Sequence, residues 1–299
     1  MNKKTISLLP LFLSVVSCAD SGLATDNQLL ADPAIDCSNC EEWNQPQEPF
    51  RIFGNTYYVG VAGLSSILID SGDGLFLLDG ALPQSAPMIA ANIETLGFSL
   101  ADVKIIGHSH AHYDHVGGIN ALQRASGARV VARAAARDAL QKGDLMPDDP
   151  QVTSRTSNFP AVQAVELVAD GETIQLGNIE LTAMATPGHT PGGTTWTWQT
   201  CEGERCLDVV YADSLSAVSW PPFRFNNDPR AAAGIRKSAR IIANLDCDIF
   251  LAPHPFYFEM SAKLAADGAT EPFVQSGCGA YAKNALEQLE RRLLQEMRM

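Results

Sequence analysis

Histidine is scarce in this chain, with only six in 299 residues. Basic side chains are also few, 21 Lys and Arg against 34 Asp and Glu, and no cluster of them occurs beyond the amino terminus. The net charge of -13 and the pI near 4.8 exclude nucleic acid or an anionic membrane surface as an electrostatic partner, and leave small-molecule chemistry. No long linker or low-complexity stretch divides the sequence. Length alone fits one domain or two, and we expect one, large enough at 46% hydrophobic residues to bury a substantial core.

Four of the six histidines fall in the run His108-Ser-His-Ala-His-Tyr-Asp-His115. Within it, His110, His112, Asp114 and His115 form a His-x-His-x-Asp-His cassette. Imidazole nitrogen and carboxylate oxygen are donors that suit zinc, and so many of them in six residues exceed the need of one mononuclear site. Two metals are the economical reading. A scattered surface or hydrogen-bonding role suits a lone histidine, but not this concentration. His189, in Thr-Pro-Gly-His-Thr-Pro-Gly-Gly, and His254, in Ala-Pro-His-Pro, each follow an apolar strand-like run in Gly/Pro-rich sequence, where ligands from different elements can converge. His108 shares a strand face with His110 but precedes the cassette, so it is assigned to support or packing and not to ligation.

The amino terminus begins Met1-Asn-Lys-Lys and continues into an apolar run over residues 6–16, the pattern of a secretory signal over 1–17 and too short to span a bilayer. The run ends Val15-Val16-Ser17-Cys18, which resembles the lipobox of bacterial lipoproteins and implies a lipid anchor on Cys18; ordinary cleavage near the same place is the alternative. Residues 18–46 then read as a lipidated or flexible tether and 47–299 as the folded domain, held in the periplasm. Export permits disulfides, and six cysteines remain besides Cys18. Cys201 and Cys206 flank a turn between two strand-like runs, so a bridge across a hairpin is expected, and Cys247 with Cys278 would tie the carboxy-terminal segment to a late strand. Cys37-x-x-Cys40 reads as half of a zinc site, a redox pair, a local disulfide or a pair of mispaired thiols.

Apolar runs at 50–58, 66–70 and 75–79, separated by Gly-rich turns, read as a strand meander. A helix over 84–96 precedes a strand over 103–107 that leads into the cassette, and another helical pattern follows Gly117-Gly118. The second half echoes this order: a strand at 129–132, a helix at 134–141, several strands between 162 and 212, a helix over 229–243, a strand at 249–252 and a terminal helix over 281–297. Strands first, helices interleaved and a repeated pattern imply an α/β fold of two sheets packed face to face with helices outside, and a metal site on their seam.

The cassette, the Thr-Pro-Gly-His189 loop, Tyr211-Ala-Asp-Ser-Leu-Ser216 and Ala252-Pro-His254-Pro, in this order, resemble the metallo-β-lactamase superfamily over about residues 46–295. Trp196-Thr-Trp198-Gln-Thr-Cys201, the Asp-Ser-Leu-Ser segment, the Gly54-Asn-Thr-Tyr-Tyr-Val-Gly60 strand and the Cys247/Cys278 pair are similar to its subclass B3. The resemblance implies a four-layer αββα sandwich with two mixed β-sheets. One departure is present: relatives carry a cysteine where this chain has Ala62, so Cys37 and Cys40 lose the partner the family would supply.

The resemblance further implies one zinc ion on His110, His112 and His189 and a second on Asp114, His115 and His254, two Zn2+ per chain. Such ions share a water and lower its pKa towards about 7, so that hydroxide attacks the amide carbonyl of a β-lactam and neither serine nor cysteine nucleophile is needed. Penicillins, cephalosporins and carbapenems are the implied substrates, and antibiotic resistance the consequence. Asp114 would orient the hydroxide, and Ser214 and Ser216 would bind the substrate carboxylate, unless these serines cap local backbone. An Asp213 bridging the two ions would instead indicate a lactonase or thioesterase of the same fold. A non-catalytic zinc-binding envelope lipoprotein is the rival of a different class. Segment 154–162, with Asn158 and Phe159, is expected either over the site or, for Phe159, in the core. A monomer is the expected state.

Overall fold

The computed structural model describes Met1, residues 29–266 and residues 271–298; the expected signal segment beyond Met1, and Cys18, lie outside them. Twelve strands run in chain order among the described residues: β1 (Phe50–Phe53), β2 (Thr56–Tyr58), β3 (Ile67–Asp70), β4 (Leu75–Leu78), β5 (Val103–Gly107), β6 (Arg129–Ala132), β7 (Val165–Leu167), β8 (Glu172–Leu176), β9 (Ile179–Ala185), β10 (Thr194–Glu202), β11 (Arg205–Tyr211) and β12 (Ile249–Leu251). The helices are α1 (Cys40–Trp43), α2 (Ala86–Thr95), α3 (Tyr113–Val116), α4 (Ile119–Ser126), α5 (Ala134–Lys142), α6 (Pro229–Ala243), α7 (Met260–Ala265) and α8 (Cys278–Glu296). The terminal helix begins at Cys278, three residues before the expected start, because Gly277 and the Cys247–Cys278 disulfide fix its first turn.

Strands β1 to β7 form one sheet in sequential order, antiparallel through β4 and parallel from β4 to β7. The second sheet has the order β12-β11-β10-β9-β8, with only β11 and β12 parallel. Both sheets are therefore mixed, as expected. The central strands β4 and β5 are nearly uninterrupted apolar runs, Lys104 alone being exposed, because both faces of their sheet are covered. β9 instead alternates buried and less buried residues.

One apolar cluster lies between the sheets and includes Tyr58, Phe76, Leu181, Trp196 and Val209; Ala239 and Ile242 of α6, with Ala282 and Ala285 of α8, join it from the outer face of the second sheet. A second cluster packs the first sheet against α2, α4 and α5. The result is the four-layer αββα sandwich.

Strand direction decides where the loops gather. β9 and β11 are both antiparallel to β10, hence parallel to each other, and β12 is parallel to β11. These three strands of the second sheet deliver His189, the segment after Tyr211 and His254 to one edge, and β5 of the first sheet delivers the cassette.

The tether expected through residue 46 is not seen over 29–46, which pack on the domain. Arg124 pairs with Asp32 at 3.0 Å, Ile35 exchanges hydrogen bonds with the Gln84 side chain at 3.1 and 2.8 Å, and Cys40 is buried. Cys37 and Cys40 form a local disulfide. Main-chain hydrogen bonds replace the absent cross-link: Ala62 N–H donates to Gln45 O at 2.9 Å and Gly63 N–H to Trp43 O at 3.0 Å. The expected bridges Cys201–Cys206 and Cys247–Cys278 are both present.

Candidate metal centre

Two groups of three ligand-type side chains lie on the seam. His110, His112 and His189 form one, Asp114, His115 and His254 the other, and within each group a donor atom from every residue lies within 4.8 Å of the others. The five histidines and Asp114 are thus brought together by the loops after β5, β9 and β12. His110, His112, Asp114, His115 and His189 are all buried.

In four of the five histidines the outward-facing ring nitrogen is occupied by an acceptor, which fixes which nitrogen points inward. His110 Nδ1 lies 2.8 Å from Asp213 Oδ1, His112 Nε2 lies 3.1 Å from Asp149 Oδ2, and His189 Nδ1 donates to Ser216 O at 2.9 Å. This leaves His110 Nε2, His112 Nδ1 and His189 Nε2 to face one another, the Gln151 side-chain amide lying 3.5 Å from His189 Nε2. His254 Nδ1 donates to Gly63 O at 3.3 Å, so its Nε2 faces inward, 3.5 Å from Asp114 Oδ2. His115 Nε2 lies 3.3 Å from the same oxygen. His110 Nε2 is buried with no hydrogen-bond partner, a cost that a coordinated cation removes. Three imidazoles in one group, and two imidazoles with a carboxylate in the other, have the donor chemistry to hold divalent cations with open positions.

The electrostatics agree. Burial pushes His110 well below its usual pKa of 6.5, His189 to about 3 and His254 to about 4, so these rings are neutral near pH 7, as ligation requires. Burial would raise the Asp114 carboxyl, but His115 outweighs it and holds Asp114 as a carboxylate; burial lowers His115, and Asp114 outweighs that in turn, raising it. A dication held by these residues would supply the positive charge that His115 supplies to Asp114 here.

Asp213 does not stand between the two groups. It is fully buried and directed at His110, and a Cβ on Gly193 would collide with its other oxygen, which explains the last glycine of the Thr-Pro-Gly-His-Thr-Pro-Gly-Gly loop. Ser216 serves His189 through its carbonyl, with its hydroxyl 3.1 Å from the same Nδ1, and remains partly exposed; Ser214 is buried. His108 is buried with neither ring nitrogen bonded, a packed residue as assigned. Phe159 is core. Tyr113 is partly buried against the first sheet's outer cluster.

Three supporting residues escaped the sequence reading. Asp149 and Gln151 approach His112 and His189 from the loop after α5. Asp79, at the end of β4, accepts from Ser109 N, Ser109 Oγ and Tyr211 OH at 2.6 to 2.7 Å, joining both sheets beneath the cassette. Its φ of 63° lies in the left-handed region. An acidic residue in the turn Leu-Asp79-Gly-Ala, at the end of a wholly apolar strand, was the available signal. Trp43 packs on His254 with ring centroids 5.2 Å apart.

The model of the family described as the metallo-beta-lactamase superfamily matches residues 59–254. Among solved structures, the chain is similar to Rm3 metallo-beta-lactamase, 47% identical with a TM-score of 0.84, covering 88% of this chain and 100% of that one. It is also similar to MEM-A1, a subclass B3 metallo-beta-lactamase from a soil metagenome library, at 44% identity and TM-score 0.82, covering 85% and 98% of the two chains. Among curated proteins, it is 30% identical over 145 residues to the uncharacterized protein YobT of Bacillus subtilis, 47% of this chain and 59% of that protein. It is 32% identical over 109 residues to hydroxyacylglutathione hydrolase of Rhodopseudomonas palustris, 36% of this chain and 32% of that protein. The chain thus spans between a third and three fifths of the length of these curated relatives.

Proposed function

The chain belongs to the metallo-β-lactamase superfamily, within its subclass B3, and from that premise we propose that it is a zinc-dependent hydrolase of the amide bond of β-lactam antibiotics. The observation that carries the proposal is the pair of ligand triads on the seam, with four of the five histidines held by an acceptor at the far nitrogen. His110, His112 and His189 would hold one Zn2+, and Asp114, His115 and His254 a second. When bound, such a pair would lower the pKa of a water towards about 7 and polarise the carbonyl under attack.

The remaining work falls to the chain. Asp213, Asp149 and the Ser216 carbonyl keep each imidazole of the first triad in one tautomer and orientation, so that no reorganisation accompanies the reaction. Asp114 presents one oxygen to His115 and His254, and its other oxygen can accept a hydrogen bond from the attacking water and orient it. Net hydrolysis adds the water's oxygen to the carbonyl carbon, breaks the C–N bond and leaves a proton on nitrogen. Ser214 and Ser216 would anchor the substrate carboxylate through their hydroxyls. One chain supplies every ligand, so a monomer suffices.

The direction of Asp213 towards His110, and not between the triads, supports this reading over a lactonase or thioesterase with a bridging aspartate. Purified protein assayed on one penicillin and one carbapenem, with and without chelator, tests it. Hydrolysis that vanishes with chelator and returns with zinc is expected. Turnover of lactones or acyl thioesters alone would select the rival hydrolase, and stoichiometric zinc without turnover a binding lipoprotein.

We also infer that the mature protein is tethered in the periplasm through a lipidated Cys18, on the strength of Val15-Val16-Ser17-Cys18 after a short apolar run. A mature protein lacking the mass of an acylated Cys18, or released without detergent, would contradict the anchor.

A further inference from the structure

Segment 216–227 leaves the metal centre and is fastened far from it. At its start, Ser216 O accepts from His189 Nδ1 at 2.9 Å. Four residues on, Trp220 N–H donates to Pro150 O at 3.0 Å, and Pro221 O accepts from Thr153 Oγ1 at 2.7 Å. These contacts tie the segment to the loop carrying Asp149 and Gln151, which face His112 and His189. Trp220 is 49% exposed and Val218 46%, so the segment presents apolar surface outward, beside a site that must receive an organic substrate.

The far end is held by a buried acid. Glu296, in the last turn of α8, has a side chain only 1% exposed. Its carboxylate accepts from Phe225 N–H at 3.2 Å, Asn226 N–H at 2.9 Å and Arg292 Nε at 2.7 Å. Arg292 also donates through Nη2 to Ser219 Oγ at 2.7 Å, and the Asn226 side chain donates to Leu293 O at 2.9 Å. Phe225 fills a small apolar cluster with Ala232, Ile235 and Leu289, between α6 and α8. A carboxylate in the last helical turn faces the negative end of the helix dipole and loses its water. Neither cost helps α8; both are met by binding two N–H groups of a segment that has no helix or strand of its own.

We infer that Glu296 and Arg292 are positioning residues that hold segment 216–227 as a wall of the substrate cleft, and thereby set the affinity for substrate without touching a metal ligand. The inference rests on the β-lactam hydrolase reading above. If the wall is in place in only a fraction of molecules, apparent affinity falls by that fraction, while the fully assembled site turns over as before.

Glu296→Gln keeps the side-chain size but loses the charge that pairs with Arg292 and serves two donors. In the zinc-loaded protein it is expected to raise KM for a penicillin about 5- to 10-fold with kcat within about 2-fold. Zinc content should stay unchanged, and hydrogen-exchange protection should fall over residues 217–227 but not in β12. Arg292→Lys, which removes the second hydrogen bond to Ser219, is expected to act in the same direction and carries the test if Glu296→Gln does not fold. KM unchanged in an active protein, or protection lost equally in β12 and α6, overturns the inference and leaves only a general packing role. A wild-type protein that hydrolyses no β-lactam sinks the functional reading and this inference with it, whereas an active wild type with unaltered variants sinks the inference alone.

Discussion

Replacing Asp213 with Ala should weaken zinc binding at the three-histidine group while leaving the other group nearly intact. Asp213 Oδ1 lies 2.8 Å from His110 Nδ1, and both side chains are at most 1% exposed. Truncation leaves the imidazole N–H in a dry site with only the longer contact to Ser109 Oγ at 3.3 Å, a penalty of about 1–3 kcal/mol. Removal of such a supporting carboxylate lowers metal affinity roughly 10- to 100-fold, or about 1.4–2.7 kcal/mol, and the two figures agree. Burial raises the Asp213 pKa well above its ordinary value, but a cation on His110 favours the carboxylate, so the effect belongs to the loaded protein. Asp213→Asn retains a carbonyl oxygen that can face Nδ1, and should lose less than about 10-fold. Competition titration of zinc against a chromophoric chelator reads both variants, with the melting temperature of the metal-free protein as control. Wild-type affinity in Asp213→Ala would refute the reasoning. Equal collapse of both sites in Asp213→Ala and Asp213→Asn would show a bridging ligand instead.

Three further outcomes are expected. Asp114→Asn should fold and retain the first group's zinc, but lose penicillin turnover by about 100-fold or more, measured as kcat at fixed zinc loading; unchanged kcat would contradict its role. Burial, then His115, holds His108 at about 4 against an ordinary 6.5, so between those values the unfolded chain binds the extra proton. Stability therefore falls as pH drops through that window, and His108→Leu should remove roughly 3 kcal/mol of the decline, seen in urea midpoints at pH about 7 and about 4.5. Trp196 is fully buried between the sheets and donates from its indole to His108 O at 2.9 Å, so Trp196→Ala should cost about 3–5 kcal/mol in denaturant unfolding; a loss below about 1 kcal/mol would deny it that place.

The ligands were legible because chemistry concentrates them: four of six histidines lie in eight consecutive residues, and the other two stand in Gly/Pro loops after strands. The layer architecture was legible from apolar runs such as those of β4 and β5, buried on both faces. Asp149 and Asp79 were not, because a supporting carboxylate carries no local spacing; the role of Asp79 appears only when β11 of the second sheet packs against the ends of β4 and β5, and that of Asp149 only when the loop after α5 reaches His112. The packing of residues 29–46 was missed for a similar reason. Polar residues such as Asp32 and Asn44 read as solvent-facing until Arg124, Asn120 and Ser85 are placed opposite them. Asp213 was visible as an acid at a strand end, but its direction depended on the glycine at 193.

Zinc stoichiometry measured alongside penicillin hydrolysis, by equilibrium dialysis of one preparation at increasing zinc, addresses the paired-ion account most directly. Two zinc ions per chain, with hydrolysis rising as they bind and abolished by chelator, is the predicted result. Hydrolysis that persists in chelated protein, or saturation without zinc in either triad, would contradict it.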